Sequence, residues 1–258
     1  MRPSIRKLVK WCAWALGGAI VLLVLYLGVF FFPYPLFPHH VEAAGFSVYS
    51  DRQIPDDFAL VLDDARRRVE AMPLYRGAEL PRIFVCRSPR RFAVLVKLAG
   101  KRHSGQGLVI SVAGNVFLSE HGIEAVARRN SARPTHSRSE GSFAAAIAHE
   151  VAHHLVVGEI GFSRAWRIPA WKSEGYADYA AHLAAAASDP DYDLHSRVAL
   201  LLDDGSWQGP AGSIDRRHFR WHLLVEYLCS VKGIDLSGLL AEEVTEEGSW
   251  AELVAWQG

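Results

Sequence analysis

The segment Ala144–His154 contains His149, Glu150 and His153, an HExxH motif whose spacing suits metal binding and the activation of water. His149 and His153 are four positions apart, so on an α-helix their side chains project about 40° apart around the axis. Both imidazoles can then face one cation, with Glu150 beside them to act on water in an open coordination position. The segment therefore predicts half of a hydrolytic metal site.

A helix must position these side chains, and the surrounding residues predict one. Apolar residues at helical spacing form an expected buried stripe: Ala144, Ile147, Ala148, Val151 and Leu155. Ser142 fits the N-cap of this helix and Gly158 fits its C-terminal stop. The alternative is a helix with surface histidines, and the stripe favours a packed helix that lines a cleft.

A zinc site of this kind needs a third protein ligand. A second segment, Trp171–Asp178, indicates that ligand through its resemblance to a known family. HExxH followed downstream by Trp-x-x-Glu-Gly-x-Ala resembles the gluzincins, in the manner of the small minigluzincin or peptidase MA-like families of zinc metallopeptidases. In gluzincins the glutamate of this second segment is the third zinc ligand, which corresponds to Glu174. An acidic residue four positions later often hydrogen-bonds a ligand histidine, which corresponds to Asp178.

The resemblance covers residues 142–180 and has one departure, because Ser173 stands where many gluzincins have asparagine. A ligand set with Asp178 in place of Glu174 stays open, although Glu174 fits the family spacing better. The metzincin pattern fails, since it requires glycine and histidine at the positions of Val156 and Glu159.

The chemistry that the resemblance implies is peptide hydrolysis at Zn²⁺. Two neutral histidines and one carboxylate leave a coordination position for water, whose pKa falls towards ~7 on zinc. Glu150 would be the general base and later the proton donor to the leaving amine. Four residues are candidates for stabilising the oxyanion: Tyr176, Tyr179, His218 and His222. For His218 and His222 the alternative is a half-buried helix that packs on the metal-binding helices.

The N-terminal part predicts a membrane anchor. Residues 1–10 are basic and are expected in the cytoplasm, and 11–32 form a run of 22 residues without charge, long enough to cross a bilayer as one helix. No lysine or arginine follows until Arg52, which predicts that the remainder lies outside the cytoplasm. The alternative is a cleaved signal peptide, for which Val41–Gly45 is a late candidate site.

The proline-containing segment 33–50 is expected to be a linker, and 51–258 is expected to form the zincin-like domain. Its elements in chain order predict an α+β fold, a small zincin-like core with a mixed sheet and metal-binding helices. The family resemblance implies that the strand containing Val116–Leu118 edges the cleft, where an extended peptide could pair with it. The alternative is an ordinary covered edge strand. Residues 120–130 are predicted to be helical and 130–141 to be a polar loop.

The composition indicates which classes of binding partner to expect. Lysine plus arginine and aspartate plus glutamate both number 28, so the charge balance gives no reason to expect nucleic-acid binding. Cys86 and Cys229 would both lie outside the cytoplasm, where either a disulfide or two buried thiols is possible. The sequence leaves the oligomeric state open.

The leading hypothesis is a membrane-anchored zinc metallopeptidase, with endopeptidase action as the default, that acts on a peptide or protein substrate. The alternative from another class is a catalytically silent scaffold or binding module with the same fold at the membrane. The presence of Glu150 counts against that alternative, because a silent site has no chemical need for the base. A zinc hydrolase with a non-peptide substrate is a third possibility.

Overall fold

The computed structural model describes residues 3–100, 107–120, 142–203 and 216–257, with side chains from Lys7 onwards. The helices are α1 Pro3–Phe31, α2 Phe58–Glu70, α3 Pro89–Leu98, α4 Phe143–Ile160, α5 Phe162–Ala165, α6 Ala170–Ser188, α7 Leu194–Leu202, α8 Arg216–Glu226, α9 Leu236–Leu239 and α10 Glu246–Gln257. The strands are β1 His39–Ala43, β2 Phe46–Ser50, β3 Arg82–Cys86, β4 Gly107–Ile110 and β5 Asn115–Ser119. The molecule is therefore α+β, as predicted.

The five strands form one mixed sheet in the order β1-β2-β3-β5-β4. Strands β2, β3 and β5 are parallel, whereas β1 and β4 pair antiparallel at the two ends of the order. Parallel strands need helical crossovers, and the chain supplies α2 between β2 and β3 and α3 between β3 and β5. Side chains of β3 and β5 alternate between two apolar clusters, one on each face of the sheet.

The larger cluster lies between the sheet and helices α2, α4, α6 and α8. Ile83 and Val116 of the sheet and Ile147 and Val151 of α4 are fully buried within it. This packing stabilises α4 on the sheet, because most of the stability of helices in proteins comes from tertiary packing of their apolar face. We call this side of the sheet the metal face, since it carries the predicted ligands.

The smaller cluster covers the opposite side, which we call the anchor face. Phe84 and Phe117 of the sheet stack with a centroid separation of 5.2 Å. The end of α1 and the segment after it lie on these rings, through Phe30 at 6.2 Å from Phe117 and Phe37 at 5.2 Å from Phe84. Helix α3 completes the cluster.

The segment 33–50, predicted as a linker, contains a 3₁₀ turn and the β1–β2 hairpin. Strand β2 alternates between buried and half-buried residues, the pattern of a strand that packs one face on the core. Ala44 and Gly45 connect the two strands with φ values of 52° and 79°, which a two-residue hairpin turn requires. The sheet thus begins at His39, so the folded domain does not start at residue 51 as expected.

Two further predictions about elements were wrong. The metal-binding helix continues past Gly158 to Ile160 and ends at Gly161, whose φ of 80° interrupts the helix. Strand β5, with Val116–Leu118, is interior to the sheet because it pairs with β3 and β4; β4 lies at the end of the order. The predicted helix at 120–130 lies outside the described residues beyond Glu120, as does the polar loop up to 141.

The structure also describes the start of α3, the two cysteines outside α1, and the apolar N-terminal helix. Ser88 caps α3 by accepting a hydrogen bond from Arg91 N, with Pro89 at the first helical position. Cys86 and Cys229 are free thiols, and burial raises the pKa of each to about 12. Helix α1 is long and apolar enough to cross a membrane over Lys7–Phe31, a test that signal sequences also pass.

Candidate metal centre

Helix α4 places His149 and His153 on one side of its axis. Ser142 begins the helix by accepting a hydrogen bond from Ala145 N at 3.0 Å, which satisfies one of the free amides of the first turn. The apolar face of α4 is buried against the sheet, with Ile147, Ala148 and Val151 fully buried. The two histidines flank that face, and their rings are 4.8 Å apart.

Helix α6 presents Glu174 and Asp178 to α4. On another side, α6 packs closely on α8, and Gly175 makes this close packing possible. A β-carbon at Gly175 would lie 2.5 Å from Trp221 O and 2.8 Å from Val225 Cγ2. Only glycine allows α6 and α8 to approach to this distance. The same approach brings His218 of α8 to 3.9 Å from Asp178.

Three ligand-type atoms converge between α4 and α6. His149 Nε2 and His153 Nε2 are 3.1 Å apart. Glu174 Oε2 is 3.4 Å from His149 Nε2 and 3.7 Å from His153 Nε2. These residues form the one metal-ligating group of this kind among the described residues.

The separations fit a tetrahedral cation. Zinc bound to nitrogen and oxygen at ~2.0–2.1 Å holds neighbouring donor atoms ~3.3 Å apart, and the three observed separations of 3.1, 3.4 and 3.7 Å bracket this value. Two imidazoles and one carboxylate are also a donor set that is typical of catalytic zinc. All three residues are half-buried, so each keeps some exposure to solvent.

Asp178 fixes the orientation of His149. Its Oδ1 lies 2.7 Å from His149 Nδ1, and because an ionised carboxylate can only accept hydrogen bonds, Nδ1 must carry the proton. The lone pair of a neutral His149 is then on Nε2, which faces the other two ligands. This is the contact that the family resemblance implied for Asp178.

His153 has a corresponding neighbour in Ser173, whose Oγ lies 3.4 Å from His153 Nδ1. Donation from Nδ1 to this hydroxyl leaves the lone pair on Nε2, directed towards His149 and Glu174. Ser173, which stands where many gluzincins have asparagine, therefore also places a polar side chain beside this histidine. A hydroxyl at this distance is a weaker constraint than the carboxylate on His149.

The electrostatics of the group favour positive charge. Burial lowers the pKa of His149, but Asp178 and Glu174 more than offset this and raise the pKa well above its ordinary value. Burial raises the pKa of Glu174, and His149 and His153 reverse this and hold it far below its usual range. Burial likewise raises the pKa of Asp178, and His149 lowers it. A divalent cation can replace the proton that this group otherwise holds.

Glu150 lies against the end strand of the sheet. A β-carbon at Gly107 of β4 would lie 2.0 Å from Glu150 Oε1 and 2.3 Å from its Cδ. The carboxylate thus occupies space that any other residue at position 107 would fill. Glu150 is buried, at 9% exposure, between α4 and β4.

The four candidates for oxyanion stabilisation occupy different environments. Tyr176 and Tyr179 are buried in the main core, where burial raises the pKa of both hydroxyls. His222 is 1% exposed, with Nε2 3.4 Å from Glu226. His218 is half-buried beside Asp178, which raises its pKa. We keep His218 as the candidate, because the other three are typical of packed interior residues.

Gly107 and Ser173 are the site residues that sequence reasoning did not identify as functional. Ser173 carried a signal, since it adjoins Glu174 at a position where the family has another polar residue. Gly107 carried none, because its proximity to Glu150 depends on how β4 packs beside α4.

No model of a known protein family matches the chain, and comparison with curated proteins finds no relative. The geometry of the site and the short motif resemblance are therefore the grounds on which a function can be proposed.

Proposed function

We propose that this chain is a membrane-anchored zinc peptidase of gluzincin type, built on a zincin-like core. The convergence of His149, His153 and Glu174 at 3.1–3.7 Å carries the proposal. Supporting it are the Asp178 contact to His149 and the general-base type residue Glu150 beside the first histidine.

In this proposal His149, His153 and Glu174 hold Zn²⁺, and Asp178 keeps His149 in the tautomer that binds it. When bound, zinc supplies Lewis acidity and lowers the pKa of a coordinated water towards ~7. Glu150 accepts the proton of the attacking water and returns it to the leaving amine, a role worth ~10²–10⁴ in rate. Gly107 lets the Glu150 carboxylate lie against β4.

The proposed substrate is an extended peptide at the β4 edge. Strand β4 is at the end of the sheet order, and Gly107 at its start adjoins Glu150. A peptide that adds to this edge would be held by main-chain hydrogen bonds next to the general base. Main-chain recognition does not require a free terminus, which favours endopeptidase action.

We further propose that α1 is an uncleaved anchor with the N-terminus in the cytoplasm and the domain outside. The basic residues of 1–10 precede the apolar run 11–32, and no lysine or arginine follows that run until Arg52. Phe30, at the end of α1, is buried on the sheet. Removal of α1 would expose that part of the anchor face to water, which supports retention of the helix.

The test is cleavage of a mixed-sequence peptide library by the full chain in detergent. We expect activity that a chelator removes and Zn²⁺ restores, and that Glu150→Gln lowers by ~10²–10⁴ while zinc stays bound. Glu159→Gln is the matched control, because Glu159 is on the same helix and its contact to Arg76 is an exposed one.

A wild-type protein that binds zinc but cleaves no peptide would overturn the peptidase proposal in favour of a scaffold or a hydrolase of another substrate class. Equal activity in wild type and Glu150→Gln would contradict the assigned base.

A further inference from the structure

The end of helix α1 contacts the domain through hydrogen bonds as well as through apolar packing. Asn115 Nδ2 donates to Phe30 O at 2.6 Å, in the last turn of α1. Arg82 donates to Tyr34 Oη at 2.6 Å, just after the helix. Both donors are at the beginnings of central strands, so the direction in which α1 leaves the domain is set by the sheet.

Helix α3 lies beside the end of α1. Each end of α3 makes a hydrogen bond, one to α1 itself and one to the segment that follows α1. Arg91, in its first turn, donates to Leu36 O at 2.7 Å. At its last residue, Leu98 O accepts from Tyr26 Oη at 3.0 Å. Leu36 follows α1 and Tyr26 lies within it, so α3 runs from the domain back towards the membrane and ends beside the apolar helix.

Helix geometry gives the depth of the contact between Tyr26 and Leu98 relative to a bilayer that α1 would cross. Tyr26 is five residues before Phe31, the end of the apolar stretch, and thus ~7.5 Å along the axis from it. The stretch Lys7–Phe31 has 25 residues and spans ~37 Å, against ~30 Å for a hydrocarbon core. The end of α3 therefore lies at the boundary between lipid headgroups and acyl chains when α1 spans.

The outer side of α3 suits that boundary. Val94 and Leu98 are 54% and 40% exposed, one turn apart. Lys97 and Arg90 are exposed on the same side of the helix, and 89–98 contains no acidic residue. Apolar side chains beside lysine and arginine are typical of helices that contact acyl chains and anionic headgroups together.

We propose that the exposed side of α3, with Val94, Lys97 and Leu98, contacts the lipid bilayer beside α1. This proposal rests on the proposed membrane anchor and adds to it a second attachment that fixes how the domain is oriented. Helices α4 and α6 are on the opposite face of the sheet from α3, so the sheet separates the metal site from the proposed lipid contact.

Nitroxide labels on the full chain in vesicles of phosphatidylcholine and phosphatidylglycerol test the proposal. The background is Cys12→Ser with Cys229→Ser, and Cys86 is retained because it is fully buried. Val94→Cys reports on α3, Leu22→Cys on α1, and Leu60→Cys on the exposed surface of α2 as the aqueous control.

Collision rates with oxygen, which partitions into lipid, and with a water-soluble nickel complex then locate each label. We expect the oxygen-to-nickel ratio at position 94 to exceed that at position 60 several-fold and to resemble that at position 22. Lys97→Glu should lower the ratio at position 94, because it places a negative charge against anionic headgroups.

The other outcomes overturn the proposal in distinguishable ways. A lipid-exposed label at position 22 with a water-exposed label at position 94 would leave the anchor standing and reject the contact of α3. A label at position 94 shielded from both reagents would indicate a protein partner instead of lipid. A water-exposed label at position 22 would reject the anchor itself. Zinc content of the same samples reports separately on the metal site.

Discussion

The two faces of the sheet differ in the types of residue that they carry. The metal face carries α4 and α6, whose small residues let the helices approach and whose histidines and carboxylates converge at 3.1–3.7 Å. The anchor face carries aromatic rings, with Phe84 surrounded by Tyr34, Phe37, Tyr49 and Phe117. The histidines and carboxylates of the predicted site lie on one face, and the apolar packing against α1 lies on the other.

This division predicts that stability and chemistry can be changed separately. Burial of aromatic rings is driven mainly by the hydrophobic effect, which is non-directional and contributes a large free energy. A metal site depends on a few atoms whose positions matter to tenths of an ångström. Three substitutions, in decreasing order of expected effect, test whether the two faces are as independent as the structure indicates.

Phe84→Ala should have the largest effect, on the anchor face. The ring is fully buried, and its removal should lower the free energy of unfolding by ~3–5 kcal/mol. The measurement is denaturant unfolding of the full chain in detergent with a chelator present. The zinc affinity of the folded variant should equal that of wild type, and a loss of affinity as large as that in Asp178→Asn would show that the faces are coupled.

Asp178→Asn should act on the metal face alone. The amide replaces the carboxylate that accepts from His149 Nδ1 at 2.7 Å, and loss of such a contact typically weakens metal binding ~10–100-fold. Competition with a fluorescent zinc chelator measures the affinity. Ser173→Ala removes the longer 3.4 Å contact to His153 and should weaken binding less. An inverse ranking of the two variants would contradict the assigned roles.

Gly107→Ala should affect turnover without removing zinc. The added methyl would fall 2.0 Å from Glu150 Oε1, so the carboxylate must move, and we expect peptidase activity to fall ~10-fold or more. Gly158→Ala is the control, because its β-carbon would meet nothing within 4 Å. Full activity in Gly107→Ala would mean that the base does not need its position beside β4.

The parts of the fold that local sequence determines were predictable. Ser142 was predicted to cap the metal-binding helix and does so, and the apolar stripe around Ile147 was predicted to be buried and is buried. The spacing of His149, His153 and Glu174, together with the family resemblance, indicated the residues that the structure brings together. These signals depend on positions within one or two helices.

The parts that depend on the order of strands were not predictable. The hairpin within 33–50 was missed because two five-residue strands follow a proline-containing segment that is typical of a linker. Strand β5 was placed at the cleft edge, but its position between β3 and β4 is decided by long-range pairing. The contact of Gly107 with Glu150 follows from that same pairing.

Zinc stoichiometry of the full chain, compared between wild type and Glu174→Ala, tests the central claim most directly. The protein is stripped with a chelator, dialysed against buffered zinc, and its bound metal is measured by mass spectrometry. We expect one zinc per wild-type chain and a markedly lower content in Glu174→Ala at the same free zinc. Folded wild type that retains no zinc, or a variant that retains as much as wild type, would contradict the proposed metal centre.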